Sequence, residues 1–421
     1  GSEMREDNNL PYTDPRTDWG RRGRDRSEVE KMIFRGVLVQ PKLRVSEQDR
    51  FATMSELFLD LTFFFLLQSF WLSPWTVEGQ FMVALYFVFA WNAWVGVAFF
   101  NTRFDTDDAL TRGIAVVNML SVITMSVAAT WPADGDDGGF TLYVSSYMLL
   151  RMLLVVQYFR AFVALPGGRP LTGRFIIGFS CGVCCWALLV ALGSRWHNAS
   201  GLYRWVLVAC GLAFDYGTPF RLLPWMVRIH DSHMFERFGG FIVILLSGAL
   251  FNFVQTMGSP DGADVSYFTC GTLGILFVFL FILLYSSLPG PDTQFFEEST
   301  WNKFRVYAYL YLHMPLGITI TLCSISLGHV HCFGPLAASA RLDPSILVFS
   351  LTCGVTMIFY GVLHLLSANS NPLPAAVRFV CGALVCEVYA VFDTMHYLSV
   401  LTFVVGVLFF QLILEYSVWC L

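Results

Sequence analysis

Charge is scarce in this 421-residue chain. Asp, Glu, Lys and Arg supply 14% of the residues, against 56% hydrophobic and 16% aromatic, and the mean hydropathy is +0.59. Soluble domains carry roughly 25% charge, so an ordinary soluble globular protein is excluded and a polytopic membrane protein is expected. Enzyme signatures are short as well: there is no H-E-x-x-H pair and no phosphate-cradling glycine loop. The first fifty residues offer no apolar core of the kind that marks a secretory signal. Of eleven cysteines only Cys332 and Cys420 lie near the ends of apolar segments; the others, Cys181, Cys184 and Cys185 among them, sit inside. Cysteine so placed behaves as a small hydrophobe, which argues against a disulfide framework, and no metal or cofactor is expected.

What the chain does have is apolar length. About 20 apolar residues cross a bilayer as a helix, and twelve segments approach that: 54–75, 80–100, 113–131, 140–165, 175–193, 202–220, 236–257, 268–288, 305–328, 345–366, 376–394 and 396–418. The expected fold is all-α, a transmembrane bundle of about twelve spans. PADGDDGG and PGGRPLTG between spans read as turns. Only FDTMHY divides the last two, so one span fewer is an alternative.

Residues 1–50 hold eleven of the 26 Lys and Arg. They read as a basic tail, in which 27–50 suits a surface amphipathic helix through Val29, Met32, Ile33 and Val37. In all, 21 Lys and Arg fall on the tail's side of the spans and three, Arg195, Arg204 and Arg341, on the other. The positive-inside tendency then places both termini in the cytoplasm. The single N-x-S/T sequon, at Asn198, falls on the opposite side. Plasma membrane and endomembrane are not distinguished.

The stretch SELFLDLTFFFLLQSFWL, 55–72, opens the first span with two acids, Glu56 and Asp60, which share a helix face at i and i+4. Gln68 continues that face. Glu56 suits a helix cap, whereas Asp60 lies a turn deeper. Span seven opens with MFERFGGFIVILLSGALF, 234–251, and its Glu236 repeats the E-x-F of Glu56 after 180 residues. Six spans separate the two, an even number, so the halves 51–228 and 229–421 are expected to be parallel repeats. Gly240 stands where the first copy has Asp60.

These residues resemble the low temperature requirement A (LtrA) family. SELFLDLTFFF is similar to that family's E-L-F-F-D-L-V-F opening, and NTRFDTDDALTR at 101–112 to its N-R-F-D-T-D-D segment. HMFERFGGFIVILL at 233–246 resembles H-x-x-E-R-F-G-L-F, and YLHMPLGITI at 311–320 resembles Y-x-H-x-P-L-x-x-G-I. The four occur in the family's order over about 50–330. One acid is missing: the family's L-G-E after E-R-F-G becomes Leu246, Ser247 and Gly248 here. The resemblance implies a multispanning membrane protein of a kind often suspected of transport, with no settled reaction.

Two sets of polar residues are candidates for function. A charge cluster at the tail side of the membrane gathers Glu56, Asp60, Arg103, Asp105, Asp107, Asp108, Arg112, Glu236 and Arg237, with Arg50 as a further countercharge. Its D-T-D-D run lacks the rest of a calcium loop and reads as an acidic cap on span three. A deeper set, Asp60, Arg151, His313 and Glu387, is expected to line a polar cavity, since an uncompensated mid-span charge costs roughly 2.5–3.5 kcal/mol. In that reading Arg151 pairs with an acid such as Glu387 or keeps a water-filled pocket open, and His313, two residues before Pro315, shares the cavity and titrates. Arg160, Asp393 and Glu415 lie near span ends and are discounted as snorkelling. The function expected is transport or conduction of a proton, small cation or small solute. The alternatives are a membrane enzyme or lipid-handling protein acting near the headgroups, and a scaffold whose polar residues hold helices together. The partners expected are the bilayer and the transported species, with a homo-oligomer open and no nucleic acid.

Overall fold

Long apolar runs punctuated by Gly, Pro and Asp fold here as helices joined by short connections. The computed structural model describes residues 41–43, 53–72, 76–106, 108–131, 138–193, 202–222, 231–257, 265–290, 299–333, 344–367, 371–391 and 397–419. Twelve helices occupy the twelve apolar segments. They are α1 (Met54–Ser69), α2 (Val77–Arg103), α3 (Ala109–Ala129), α4 (Gly138–Ala164), α5 (Arg169–Gly193) and α6 (Leu202–Arg221), then α7 (Asp231–Met257), α8 (Val265–Ser286), α9 (Thr300–Phe333), α10 (Pro344–Leu366), α11 (Pro372–Val391) and α12 (Tyr397–Trp419). The protein is an all-α polytopic bundle. Among the described residues nine helices are long and apolar enough to cross a membrane. The other three are α1, only 16 residues long before a 3-10 turn, and α6 and α11, whose hydropathy is diluted by Arg204, Asp215 and Arg221 and by Arg378 and Glu387. The last two segments are separate helices.

The tail differs from its expectation where it can be seen. Lys42–Leu43 form a two-residue strand, β1, paired antiparallel with β2, Phe104–Asp105, at the end of α2. The remainder of the surface helix expected over 27–50 lies outside the described residues, as does the sequon at Asn198.

Local chemistry sets the helix starts. Thr53 caps α1 in a reciprocal box: its hydroxyl accepts the Glu56 amide, and the Glu56 carboxylate accepts the Thr53 amide at 2.8 Å. Thr76 caps α2 and Asp108 caps α3 through the Thr111 amide at 2.9 Å.

Packing then builds two groups of six. In the first, α3 lies beside α1 and α4, and α5 beside α4 and α6. In the second, α9 lies beside α7 and α10 and α11 beside α10 and α12, while α8 packs on α12 where α2 of the first packs on α4. The groups meet where α1 packs on α7 and where α2 packs on α7 and α9. Helix α2 is the axis, apolar all round and enclosed on nearly every face, as expected of a helix without a polar side. Its Trp91 and Trp94 stack among Phe238 and Phe241 of α7 at centroid distances of 4.4–5.4 Å.

Among the described residues, α10 and α11 approach backbone to backbone. A Cβ on Gly354 would lie 2.5 Å from the Gly382 carbonyl, and one on Gly382 2.7 Å from the Gly354 carbonyl. Such small-residue contacts let backbones touch, the main source of helix affinity in lipid. Gly354→Ala is therefore expected to push α10 and α11 apart and cost roughly 1–3 kcal/mol. Thermal unfolding in detergent should show a lower midpoint, and an unchanged one would mean that the crossing yields.

Candidate functional site

Three buried arginines pair with acids inside the bundle, and they differ in how completely they are satisfied. Arg151 of α4 reaches Asp215 of α6, with Nε at 3.0 Å and Nη2 at 2.5 Å, while Nη1 donates to the Asn92 carbonyl of α2 at 3.3 Å. Asp215 also accepts from the Tyr147 hydroxyl at 2.5 Å and the Trp186 indole at 3.2 Å. Gly96 makes room for this cluster, because a Cβ there would lie 2.9 Å from Arg151 Nη1. Arg378 of α11 is equally engaged. Its Nε and Nη2 hold Glu415 of α12 at 2.8 and 2.6 Å, Nη2 also reaches Ser287, and Nη1 donates to the Tyr360 carbonyl. Gln411 completes the Glu415 shell at 2.8 Å.

Arg237 of α7 is different. Its Nη2 donates to Asp60 Oδ1 of α1 at 2.9 Å, the same oxygen that accepts the Trp94 indole at 2.8 Å. Among the described residues its Nε and Nη1 have no hydrogen-bond partner, although the residue is only 3% exposed. The pair joins the two six-helix groups at their seam. One turn nearer the start of α1, Glu56 borders a polar pocket of about 60 Å³ that Asn101, Arg112, Asn118 and Gln157 also line. This is the first end of the bundle, where α1 starts and α2 finishes. The Asn118 and Gln157 carbonyl oxygens are buried and unpartnered among the described residues, an uncommon and costly state for amides.

Most of the expected charge cluster gathers at this end, in smaller groups. Arg103 donates to the Tyr158 and Tyr307 hydroxyls at 3.1 and 2.5 Å. Asp108 caps α3 and takes an ion pair from Arg160, so Arg160, discounted as snorkelling, is a structural partner. Arg112 lines the pocket and Glu236 is exposed. Asp105 is described only in its backbone, within β2, and Asp107 lies outside the described residues. Asp60 meets Arg237, one of the arginines of the expected cluster.

The deeper set does not come together. Arg151 takes Asp215 in place of Glu387, which is exposed on α11. His313 does not line the small cavity beside Arg151. Its ring is fully buried, packed on Phe238, Tyr285 and Tyr309. Nδ1 lies 2.9 Å from the Tyr309 carbonyl and Nε2 3.0 Å from the Tyr285 hydroxyl. Both nitrogens are used in a way that suits a neutral ring donating from Nδ1. Helix α9 runs on through Pro315.

Sequence reasoning missed Asp215 as the partner of Arg151 and missed Arg378 with Glu415. Both acids were visible inside apolar segments, Asp215 two spans from Arg151 and Glu415 one span from Arg378, but other acids lay as near and spacing did not choose among them. Asn118 and Gln157 gave no signal, since neutral amides do not stand out in composition. The chain also spells G-x-S-x-G once, from Gly178 to Gly182. That run lies inside the continuous helix α5, whereas a nucleophile elbow needs a strand-to-helix turn. At Gly248, where the resembling family carries an acid, a Cβ would lie 2.7 Å from Gln68 Nε2, so the Gln68 amide of α1 occupies that space.

The partner assignment predicts a thermodynamic coupling. Asp215→Asn should cost about 3–5 kcal/mol by leaving the Arg151 charge buried without its counterion. In a double-mutant cycle Arg151→Gln should couple strongly to Asp215→Asn and negligibly to Glu387→Gln. Unfolding in detergent measures both, and coupling to Glu387 would contradict the geometry.

Comparison with curated proteins and with solved structures gives no match. The family profile described as bacterial low temperature requirement A protein (LtrA) does match, over residues 51–411. That range contains all four sequence motifs and the three buried arginines, with Glu415 just beyond its end. The chain belongs to the low temperature requirement A family of multispanning membrane proteins.

Proposed function

We propose that this protein is a transporter of a proton or small cation, with the pocket at the first end as its loading site and the Asp60–Arg237 pair as its gate. One observation carries the reading: among the described residues, Arg237 alone of the three buried, acid-paired arginines leaves two nitrogens unpartnered. A charge pair satisfied on every side is a fixed tie, because breaking it strands several groups at once. A pair held through one nitrogen opens at lower cost and leaves Asp60 able to accept a proton or a cation. Its place between α1 and α7 means that opening it removes one charged tie between the two six-helix groups, a step toward the relative movement that alternating access requires. The neighbour order that the two groups share, apart from α2 and α8, supports reading them as parallel repeats over 51–228 and 229–421. Glu56 and the Asn118 and Gln157 carbonyls supply oxygen acceptors at the pocket, which suits a cation.

The test is flux in proteoliposomes of purified protein, screened over protons, K⁺ and Na⁺ under pH and voltage gradients. Wild type should conduct, and Asp60→Asn should lower the rate about tenfold or more, equivalent to about 1.4 kcal/mol of barrier. Glu56→Gln, which keeps the cap's hydrogen bonding, should lower it less. Silent wild-type vesicles would remove the transport reading, and redistribution of a fluorescent lipid in the same vesicles would favour lipid handling instead.

The first end is proposed to be cytoplasmic, together with both termini, on the distribution of Lys and Arg. Protease added to sealed right-side-out vesicles should then leave the basic tail intact; trimming of the tail would reverse the orientation.

A further inference from the structure

A groove runs down the outside of the bundle between α5 and α6, lined by no member of the Arg151–Asp215, Arg378–Glu415 or Asp60–Arg237 pairs. It encloses about 450 Å³, within the range of small-molecule and lipid sites. Its walls are apolar for most of their length, through Ile177 and Cys181 on α5 and Phe214 on α6. Ile177 is 66% exposed. At one end only, the walls turn basic: Arg174 lies near the start of α5 and Arg221 is the last residue of α6. Both therefore stand at the first end of the bundle. Arg221 engages no acid or carbonyl among the described residues.

The floor of the groove is fixed by close approach. A Cβ at Gly178 would overlap the Thr218 side chain of the facing helix, so the two backbones are held together there. Gly217, one residue away, is the reverse case, since a Cβ at that position would meet nothing within 4 Å. A slot therefore stays open beside a tight crossing. Seven residues from Arg174 to Cys181 span about 10 Å of helix, a length suited to the upper part of an acyl chain.

We propose that this groove binds an anionic glycerophospholipid of the leaflet at the first end, with its phosphate between Arg174 and Arg221 and an acyl chain along Ile177, Phe214 and Gly217. Charge placement selects this occupant. A second protein copy docked by its own apolar helix would leave Arg221 at the rim facing hydrocarbon, whereas a phosphate meets it with charge-assisted hydrogen bonds and the chain fills the apolar slot. Basic pockets between membrane helices recognise anionic headgroups in this way.

Native mass spectrometry of the full chain tests the assignment with phosphatidylglycerol and phosphatidylcholine of identical acyl chains, supplied in equal amounts. Wild type should retain the anionic lipid in preference, by about fivefold for each arginine near the headgroup. Arg174→Gln with Arg221→Gln should abolish the preference and leave phosphatidylcholine retention unchanged. Gly217→Leu fills the slot without a clash and should lower retention of both lipids, while circular dichroism shows the same helix content as wild type. Equal retention of the two lipids by wild type would overturn the proposal, a result that needs no variant to fold. So would unchanged retention in Gly217→Leu, or a dimer in wild type that Gly217→Leu converts to monomer, which would give the groove to a second copy.

Discussion

A charge inside an apolar bundle has to find its countercharge on another helix, and much of this architecture follows from that requirement. No residue of the same helix can satisfy Arg151 while α4 stays helical and its neighbours stay apolar, so α4 is drawn to α6 and to the backbone of α2. Arg378 fixes α11 to α12 and to the end of α8 in the same manner. Each tie combines a salt bridge with carbonyl, hydroxyl or amide partners, which is the condition under which a buried ion pair is tolerated. The ties also set which faces turn inward: once Asp215 points at Arg151, the apolar residues on the far side of α6 must face lipid.

Against these ties the Asp60–Arg237 pair is the exception, in both position and completeness. It lies between the six-helix groups while the others lie within them. It is also the meeting point of two separate sequence motifs, one carrying the acid and one the arginine, with Trp94 of α2 supplying the third group. Glycine at position 248 shifts the balance nearby, since the amide of Gln68 takes a place that an acid holds in the family pattern. The seam of this chain thus carries one carboxylate fewer on α7 than the family pattern, and Arg237 pairs with Asp60.

Much of this was legible in the sequence, for physical reasons that differ by feature. Helix positions could be read because an apolar run of fixed length has one solution in a bilayer. Asp60 and Arg237 could be read because both stand in recognisable motifs at the mouths of spans. Arg151 could be read as buried, since it sits at the centre of an apolar run. Its partner could not, because nothing in the spacing of α4, α6 and α11 says which faces which, and Asp215 and Glu387 are equivalent until the helices pack. His313 misled for a related reason: a titratable ring beside a proline resembles a working group, yet the Tyr285 hydroxyl and the Tyr309 carbonyl consume both nitrogens. Whether a polar group is spare or spent is a tertiary fact.

The enclosure of α2 bears on how the molecule is assembled. This helix is apolar on every side, so on leaving the ribosome it can enter the bilayer alone, with lipid covering all of its faces. In the finished protein nearly all of that cover has been replaced by other helices, some of them, α7 and α9, belonging to the second half of the chain. The first half must therefore wait, with its central member still solvated by hydrocarbon, until the second half arrives. Substitutions at Asn92, Trp94 or Gly96 should accordingly leave membrane insertion untouched and appear as a delay in closing the bundle, with the half-built protein exposed to quality control in the interval.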